Sequence, residues 1–158
     1  MTITSEQLNY HNAETLKYIR EVSKLLGICI RNISVLQEIH DESKLESPER
    51  EIYAEALPRL EKSSYGTPEY YKMLESIQPA IDHHYKYNPH HPEFHRDGIK
   101  GMDLFQLMEM ICDWIAATQR HRDGDINKSI EKNQTRFGYS EELKQIFKNT
   151  VEAIRNKN

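Results

Sequence analysis

The apolar residues of this chain recur three and four positions apart along nearly its whole length, which is the period of an amphipathic α-helix. No run of residues alternates between apolar and polar in the manner of a half-buried β-strand. The first predicted helix covers about residues 5–26. Gly27 is expected to kink it or to separate it from a second helix that ends near His40. The apolar face of the first helix carries Leu8, Leu16, Ile19, Val22 and Leu26.

Proline and capping residues mark the starts of two further helices. Residues 47–49, Ser-Pro-Glu, supply an N-cap, a first-turn proline and a first-turn carboxylate. Residues 67–69, Thr-Pro-Glu, repeat that signal, and the helix they open is expected to run to about Lys86. Two proline steps then interrupt helical continuity, so residues 87–102 are predicted to form an ordered loop.

The most apolar predicted helix runs from Leu104 to about Gln119, with Asp103 as its N-cap. A last helix starts at Ser140, which two glutamates follow. Together these signals predict an all-α fold, with one domain over residues 1–158 built as a bundle of about six or seven helices.

Composition narrows the classes of function. The chain has 21 basic and 25 acidic residues and a formal net charge of -4, which argues against an extended nucleic-acid-binding surface. No apolar run is long enough to span a membrane, and the N-terminus does not resemble a signal peptide. The two cysteines lie in helical patterns and predict no disulfide. We therefore expect a cytoplasmic protein that does not enter the membrane.

Histidines supply the first chemical signal. Five of the eight histidines fall within residues 83–95, and a sixth, His40, stands directly before Asp41. Imidazole is the commonest protein ligand of transition metals, and imidazole with carboxylate suits divalent manganese, iron, cobalt, nickel or zinc. The pattern predicts a metal site, with a solvated histidine-rich loop as the alternative.

Two isolated residues on other predicted helices extend this constellation. Asp113 lies in the most apolar helix, where a charge is costly unless it is paired or bound to a metal. An internal pair with Arg120 is the alternative to a ligand role, and Glu109 shares the same stripe and is a candidate to support the site. His11 lies early in the first helix, in line with its apolar face.

The order His11, His40-Asp41, Asp113 on an all-α chain resembles the HD-domain metal-dependent phosphohydrolases. The resemblance implies an HD-type helical bundle in which these four residues bind a divalent metal. Lys44, three residues after the dyad aspartate, is similar to the lysine of the HD-GYP phosphodiesterase subgroup.

Further histidines between the dyad and the distal aspartate are typical of HD members that hold two metals. His84 and His90 are therefore predicted as additional metal ligands, with the number of ions, one or two, left open. The alternative is that His84, His90 and His91 donate hydrogen bonds to a phosphate. His91 is predicted to act catalytically, by stabilising a phosphate or by protonating the leaving group.

The whole chain also resembles a family of small uncharacterised proteins from bacteria and their phages. The shared marks are His-Asp-x-Ser-Lys at residues 40–44, His-x3-Asn-x-His-His-Pro-Glu at 84–93 and Glu-Met-x-x-Asp-Trp at 109–114. This second resemblance implies no particular activity.

The HD resemblance implies a hydrolase of phosphate mono- or diesters that acts on a nucleotide or another small phosphorylated metabolite, with Lys44 and His91 as catalytic residues. An HD-fold di-iron oxygenase is one alternative. A metal-stabilised protein that binds and sequesters a nucleotide without turnover is another. A homodimer is compatible with either.

Overall fold

The computed structural model describes residues 3–60, 68–120 and 124–156. The chain divides into two compact units, Met1–Ile39 and His40–Asn158. No described residue lies in a β-strand, so the predicted all-α fold is confirmed. The prediction of one domain over residues 1–158 stays a prediction.

The first unit is a single long helix, α1, Ser5–Ile39. Its start is fixed by Thr4, whose hydroxyl accepts a hydrogen bond from the backbone N–H of Gln7 while the Gln7 side chain accepts one from the backbone N–H of Thr4. The predicted separation into two helices at Gly27 is wrong, because one helix continues through this residue. A glycine in a helix costs only about 1 kcal/mol relative to alanine, and it removes no backbone hydrogen bond.

The second unit contains the other helices and the candidate site. Three short 3-10 helices, Glu42–Leu45, Pro92–Phe94 and Gly98–Gly101, connect them. The α-helices are α2 (Glu49–Leu60), α3 (Pro68–Tyr87), α4 (Leu104–Gln119), α5 (Ile126–Phe137) and α6 (Glu141–Arg155).

The predicted helix boundaries hold closely in this unit. Asp103 caps α4 by accepting from two backbone N–H groups, and Ser140 caps α6 through the N–H of Leu143. Helix α2 begins at Glu49, one residue after the proline predicted to open it. The predicted cap Thr67 lies outside the described residues.

Helix α5 is the element that the prediction omits. Its signals are present in the sequence, since Asp125 caps its first turn and Gly138 ends it with φ of +66°. Its apolar residues are few, but Ile126 and Ile130 are four positions apart and both fully buried.

The apolar core of the second unit lies among α4, α5 and α6. Trp114 packs edge-on against Phe147, and Tyr139 packs edge-on against the same ring. Full burial of such side chains contributes about 1.5–3 kcal/mol each, so this core stabilises the second unit. Its other buried members are Met110, Ile111, Ile126, Ile130 and Val151.

Helices α2 and α3 pack against each other beside the 3-10 helix Glu42–Leu45. The C-terminal end of α3 leads into the loop of residues 88–103, which returns the chain to the start of α4. These segments carry the histidines and carboxylates of the candidate site. In the part of the chain that the structure describes, no helix combines the length and apolar character that crossing a membrane requires. Cys29 and Cys112 are both free thiols.

Candidate metal centre

Five segments of the second unit bring imidazoles and carboxylates together. Asp41 reaches the centre from a left-handed backbone conformation with φ of +59°, which aspartate tolerates better than most residues. It lies two residues after the end of α1, and its carboxylate faces the loop histidine His90. The converging residues are His40 and Asp41 after α1, Glu49 on α2, His83 and His84 on α3, His90 and His91 in the loop, and Glu109 and Asp113 on α4.

Asp41 lies at the middle of this cluster, and its two carboxylate oxygens face different partners. Oδ1 lies 3.2 Å from Nε2 of His84 and 3.5 Å from Nε2 of His90. Oδ2 lies 3.5 Å from Nε2 of His40 and 2.5 Å from Nζ of Lys44. Burial alone would raise the pKa of Asp41, but His84 and Lys44 hold it well below its usual range. The carboxylate is therefore ionised.

Two groups of potential metal ligands share Asp41. The first combines Asp41 with His84, His90 and His91, and the second combines it with His40 and Asp113. In each group the ligand atoms lie within 4.8 Å of one another, a spacing that one ion can bridge. Nitrogen and carboxylate oxygen donors of this kind suit manganese, iron, cobalt, nickel or zinc.

Two buried atoms in this cluster have no hydrogen-bond partner. They are Oδ1 of Asp41 and Nε2 of His90, which face each other at 3.5 Å. Buried polar atoms are almost always satisfied, and leaving two unpaired costs about 1–3 kcal/mol each. A cation between them would accept a lone pair from both atoms, so the residues present fit a metal ion.

Glu109 determines which nitrogen of two histidines is available. Its Oε1 lies 2.8 Å from Nδ1 of His40 and 3.1 Å from Nδ1 of His90. An ionised carboxylate only accepts hydrogen bonds, so both Nδ1 atoms carry protons. In the neutral form of each ring, the form that binds a metal, Nε2 therefore presents the lone pair.

Glu109 and His40, which it contacts, shift each other's pKa values. Burial would raise the pKa of Glu109, but the hydrogen bonds and charges of His40 and His90 lower it to about 2. The hydrogen bond to Glu109 raises the pKa of His40 above its ordinary value, against the opposing effect of burial. Although His40, His90 and Glu109 could also surround an ion, their distances already satisfy these atoms as hydrogen bonds.

Glu49 pairs with the Nδ1 atoms of two histidines on α3, as Glu109 does with those of His40 and His90. It is 0% exposed, and its carboxylate oxygens accept from Nδ1 of His83 at 2.7 Å and Nδ1 of His84 at 3.0 Å. The side-chain amide of Asn88 donates to the Ser43 hydroxyl and to the backbone carbonyl of His84. Because Nδ1 of His84 donates to Glu49, Nε2 is the atom of this ring that faces Asp41.

His91 contributes a fourth imidazole. Its Nε2 lies 2.9 Å from Nε2 of His84, and its ring packs against Tyr85. Burial and the charges of His90 and His84 lower the pKa of His91 to about 3. The ring is therefore neutral near pH 7, which is the form that binds metals.

Lys44 supplies a positive charge at the edge of the cluster. Its side chain is 39% exposed, and its ammonium group contacts Oδ2 of Asp41. Helix α1 ends at Ile39, close to the predicted end near His40, and Lys44 lies in the 3-10 helix that follows. The tight turn brings its side chain to the centre.

The structure brings together the seven predicted site residues that belong to the second unit. His40, Asp41, Lys44, His84, His90, His91 and Asp113 all lie in or beside the cluster of the second unit. His11 lies on α1, in the first unit, and its role as a ligand stays a prediction. His91 lies among the potential ligands, although its predicted role is catalytic.

Sequence reasoning missed Glu49 as a residue of the site, and it gave no individual role to His83, which pairs with Glu49. Glu49 was assigned only to the first turn of a helix, and nothing in its local pattern distinguishes it from an ordinary first-turn glutamate. Glu109 was predicted as a supporting residue, and it pairs with His40 and His90. Arg120 is exposed at the end of α4.

The loop histidine His95 has a different position. Its Nε2 lies 2.8 Å from the backbone carbonyl oxygen of Pro89, so the ring donates a hydrogen bond across the loop. Gly101 lies against its Cβ, where a side chain on residue 101 would approach to 3.0 Å. His95 therefore stabilises the loop that carries His90 and His91.

The fold and the cluster define an all-α protein with a histidine- and carboxylate-rich centre able to hold metal ions. The chain belongs to the family described as DUF5662, a family of unknown function, which matches residues 7–157. No curated protein and no solved structure matches the chain.

Proposed function

We propose that this protein is a metal-dependent phosphohydrolase of the HD type. The observation that carries the proposal is the pair of unsatisfied buried atoms, Nε2 of His90 and Oδ1 of Asp41, at the middle of a set of nitrogen and oxygen donors. Its substrate would be a phosphate ester, either a nucleotide or another small phosphorylated metabolite.

We propose that the centre has two metal positions and that Asp41 is a ligand in both. His84, His90 and His91 would complete one position, and His40 with Asp113 would complete the other. Divalent ions bound there would lower the pKa of a water molecule and polarise a phosphoryl oxygen. Nickel, zinc, cobalt, iron and manganese all remain candidates because the donors are imidazole and carboxylate.

The side chains of the protein would contribute orientation and charge. Lys44 is half-exposed and tethered to Asp41 by one contact, so its ammonium group can reach a phosphate oxygen beside the centre. A positive charge at this position stabilises the negative charge that develops in the transition state.

A second cation lies on the side of the centre where His91 packs. Arg136 contacts Glu93 at 2.5 Å and the Tyr85 hydroxyl at 3.4 Å, and the Tyr85 ring packs against His91. The guanidinium is 53% exposed in its side chain and retains further N–H donors for an anionic group. Together Lys44 and Arg136 favour an anionic substrate over a neutral one.

The test is a metal-dependent hydrolysis assay. The purified protein is stripped of metal, reloaded with single divalent metals and screened for phosphate release from nucleotides and small phosphate esters. We expect activity that depends on added metal and is lost in a His40→Ala/Asp41→Ala double variant. An equally active double variant would refute the proposal.

A di-iron oxygenase is the second candidate, favoured by the four imidazoles His40, His84, His90 and His91 that surround one aspartate. Oxygen consumption by the Fe(II)-loaded protein would support it, while phosphate release without oxygen consumption would exclude it. Nucleotide binding without turnover of any kind would instead indicate a sequestering protein.

A further inference from the structure

Glu109 links the two groups of potential metal ligands, because it pairs with one histidine of each group on the side of the ring opposite Asp41. Its Oε1 lies within 3.1 Å of the Nδ1 atoms of both His40 and His90, whose ring centroids are 4.7 Å apart. The opposite nitrogens of the same rings face the two oxygens of Asp41. Glu109 and Asp41 thus hold one pair of imidazoles from opposite ends.

Each of these two imidazoles belongs to a different group of potential ligands. His40 joins Asp41 and Asp113, whereas His90 joins Asp41, His84 and His91. Glu109 is only 10% exposed in its side chain, so water offers little replacement for its hydrogen bonds.

Glu49 provides an internal comparison. It also accepts from two histidines, but only one of them, His84, lies in a group of potential ligands. His83 is outside the groups that the described residues form. Loss of Glu49 should therefore disturb one metal position, and loss of Glu109 should disturb both.

We propose that Glu109 is a positioning residue shared by both metal positions, which fixes His40 and His90 in the tautomer and orientation that present Nε2 to the ions. The inference rests on the metal centre of the proposed function and not on the hydrolytic reaction. Without Glu109, either ring can carry its proton on Nε2 and lose its metal-binding lone pair. Removal of such a partner typically lowers metal affinity about 10–100-fold.

The experiment is a metal titration of the full chain. Zn(II) and, separately, Mn(II) are titrated into metal-free wild-type protein, Glu109→Ala, Glu109→Gln and Glu49→Gln, with a chelating dye as competitor. We expect two ions on the wild type. Glu109→Ala should weaken both ions toward the upper end of the range of about 10–100-fold, and Glu109→Gln should weaken both less, since its amide oxygen can still accept from the two rings.

The control separates positioning from general destabilisation. Glu49→Gln should weaken one ion and leave the other at wild-type affinity. Circular dichroism and melting of the metal-free proteins report the fold, and Glu109→Gln serves if Glu109→Ala does not fold. A Glu109→Gln protein that folds as the wild type and binds both ions with unchanged affinity would overturn the proposal.

Other outcomes are also decisive. Loss of a single ion in Glu109→Gln, or a wild-type protein that binds only one ion, would overturn the shared role. Two ions that respond as expected in a protein without hydrolytic activity would support the inference while refuting the proposed reaction. A wild-type protein that binds neither Zn(II) nor Mn(II) would overturn both.

Discussion

Nε2 of His90 faces Oδ1 of Asp41 across 3.5 Å, and both atoms are buried without a hydrogen-bond partner. The proton of the His90 ring is used on the other side, where Nδ1 pairs with Glu109. In the neutral ring a lone pair therefore faces a carboxylate oxygen, and a cation between the two atoms would relieve their repulsion. This relationship makes metal binding the chemistry best supported by the site.

Metal binding should consequently stabilise the protein through His90. Addition of Zn(II) to the metal-free protein at about 100 times its Kd contributes about 2.7 kcal/mol, which corresponds to a rise in Tm of roughly 5–10 °C. In His90→Ala the rise should be much smaller, because the buried ligand set loses a member. Thermal melting with and without metal measures the difference.

Asp97→Asn is the matched control for that experiment, since Asp97 is exposed in the same loop and its side chain caps no helix. Its metal-induced rise in Tm should equal that of the wild type. An equal rise in His90→Ala would contradict the assignment of His90.

The central place of Asp41 predicts an asymmetry between two aspartates. Asp41 belongs to both groups of potential ligands and Asp113 to only one. Asp41→Ala should therefore abolish binding of both ions, whereas Asp113→Ala should remove one and keep the other. Metal content after dialysis, measured by elemental analysis, distinguishes the two variants. The same stoichiometry in both would show that Asp41 does not bridge two positions.

Lys44 should affect turnover without supporting metal binding. Its ammonium group competes with an ion for Oδ2 of Asp41, so Lys44→Met should bind metal at least as tightly as the wild type. If the proposed hydrolysis is correct, kcat should fall about 100- to 1,000-fold, as when one charge-stabilising donor is removed. Lys44→Arg should recover part of kcat because it restores the charge. An unchanged kcat in Lys44→Met would exclude its predicted catalytic role.

The lowered pKa of His91 makes the stability of the metal-free protein depend on pH. In the folded state the ring resists protonation down to a pKa of about 3, whereas the unfolded chain takes up the proton near 6.5. The unfolded state therefore binds more protons between these values, and stability falls as pH drops below 6.5, by at most about 1.4 kcal/mol per pH unit.

Urea unfolding at pH 7 and pH 5 measures this effect. His91→Gln should lose less stability over that interval than the wild type, because its amide does not titrate. Equal losses would show that His91 is not held neutral in the folded protein.

The elements that depend on local patterns could be predicted from the sequence. The caps Asp103 and Ser140, and the proline-interrupted loop, gave helix boundaries close to the observed ones. The predicted separation of two helices at Gly27 was wrong because a helix can continue through a glycine at small cost in free energy. Helix α5 was overlooked because most of its residues are polar, and its two buried isoleucines form too narrow an apolar stripe.

The site was predictable where the chemistry is concentrated in short motifs. His40-Asp41 and the histidine-rich loop pointed to a metal, and the charge of Asp113 in an apolar helix added a third segment. Glu49 could not be recognised, since its function depends on the packing of α2 against α3. Which nitrogen of each ring donates a hydrogen bond and which is available to a metal likewise depends on tertiary structure. It is determined by the carboxylate that pairs with Nδ1 of that ring.

The aromatic core of the second unit supplies a prediction independent of the metal. The Tyr139 hydroxyl donates to the backbone carbonyl of Ile130 at 2.5 Å, and burial raises the pKa of Tyr139 to about 12, so it stays a neutral donor. Tyr139→Phe removes this buried hydrogen bond but keeps the ring that packs against Phe147. The free energy of unfolding should fall by about 1 kcal/mol. Tyr10→Phe is the control, because Tyr10 on α1 is 72% exposed, and it should change the free energy of unfolding by less than about 0.5 kcal/mol. Denaturant unfolding measures both, and equal values would show that the Tyr139 hydrogen bond contributes nothing net. Because the hydroxyl touches no residue of the metal centre, metal affinity in Tyr139→Phe should equal that of the wild type.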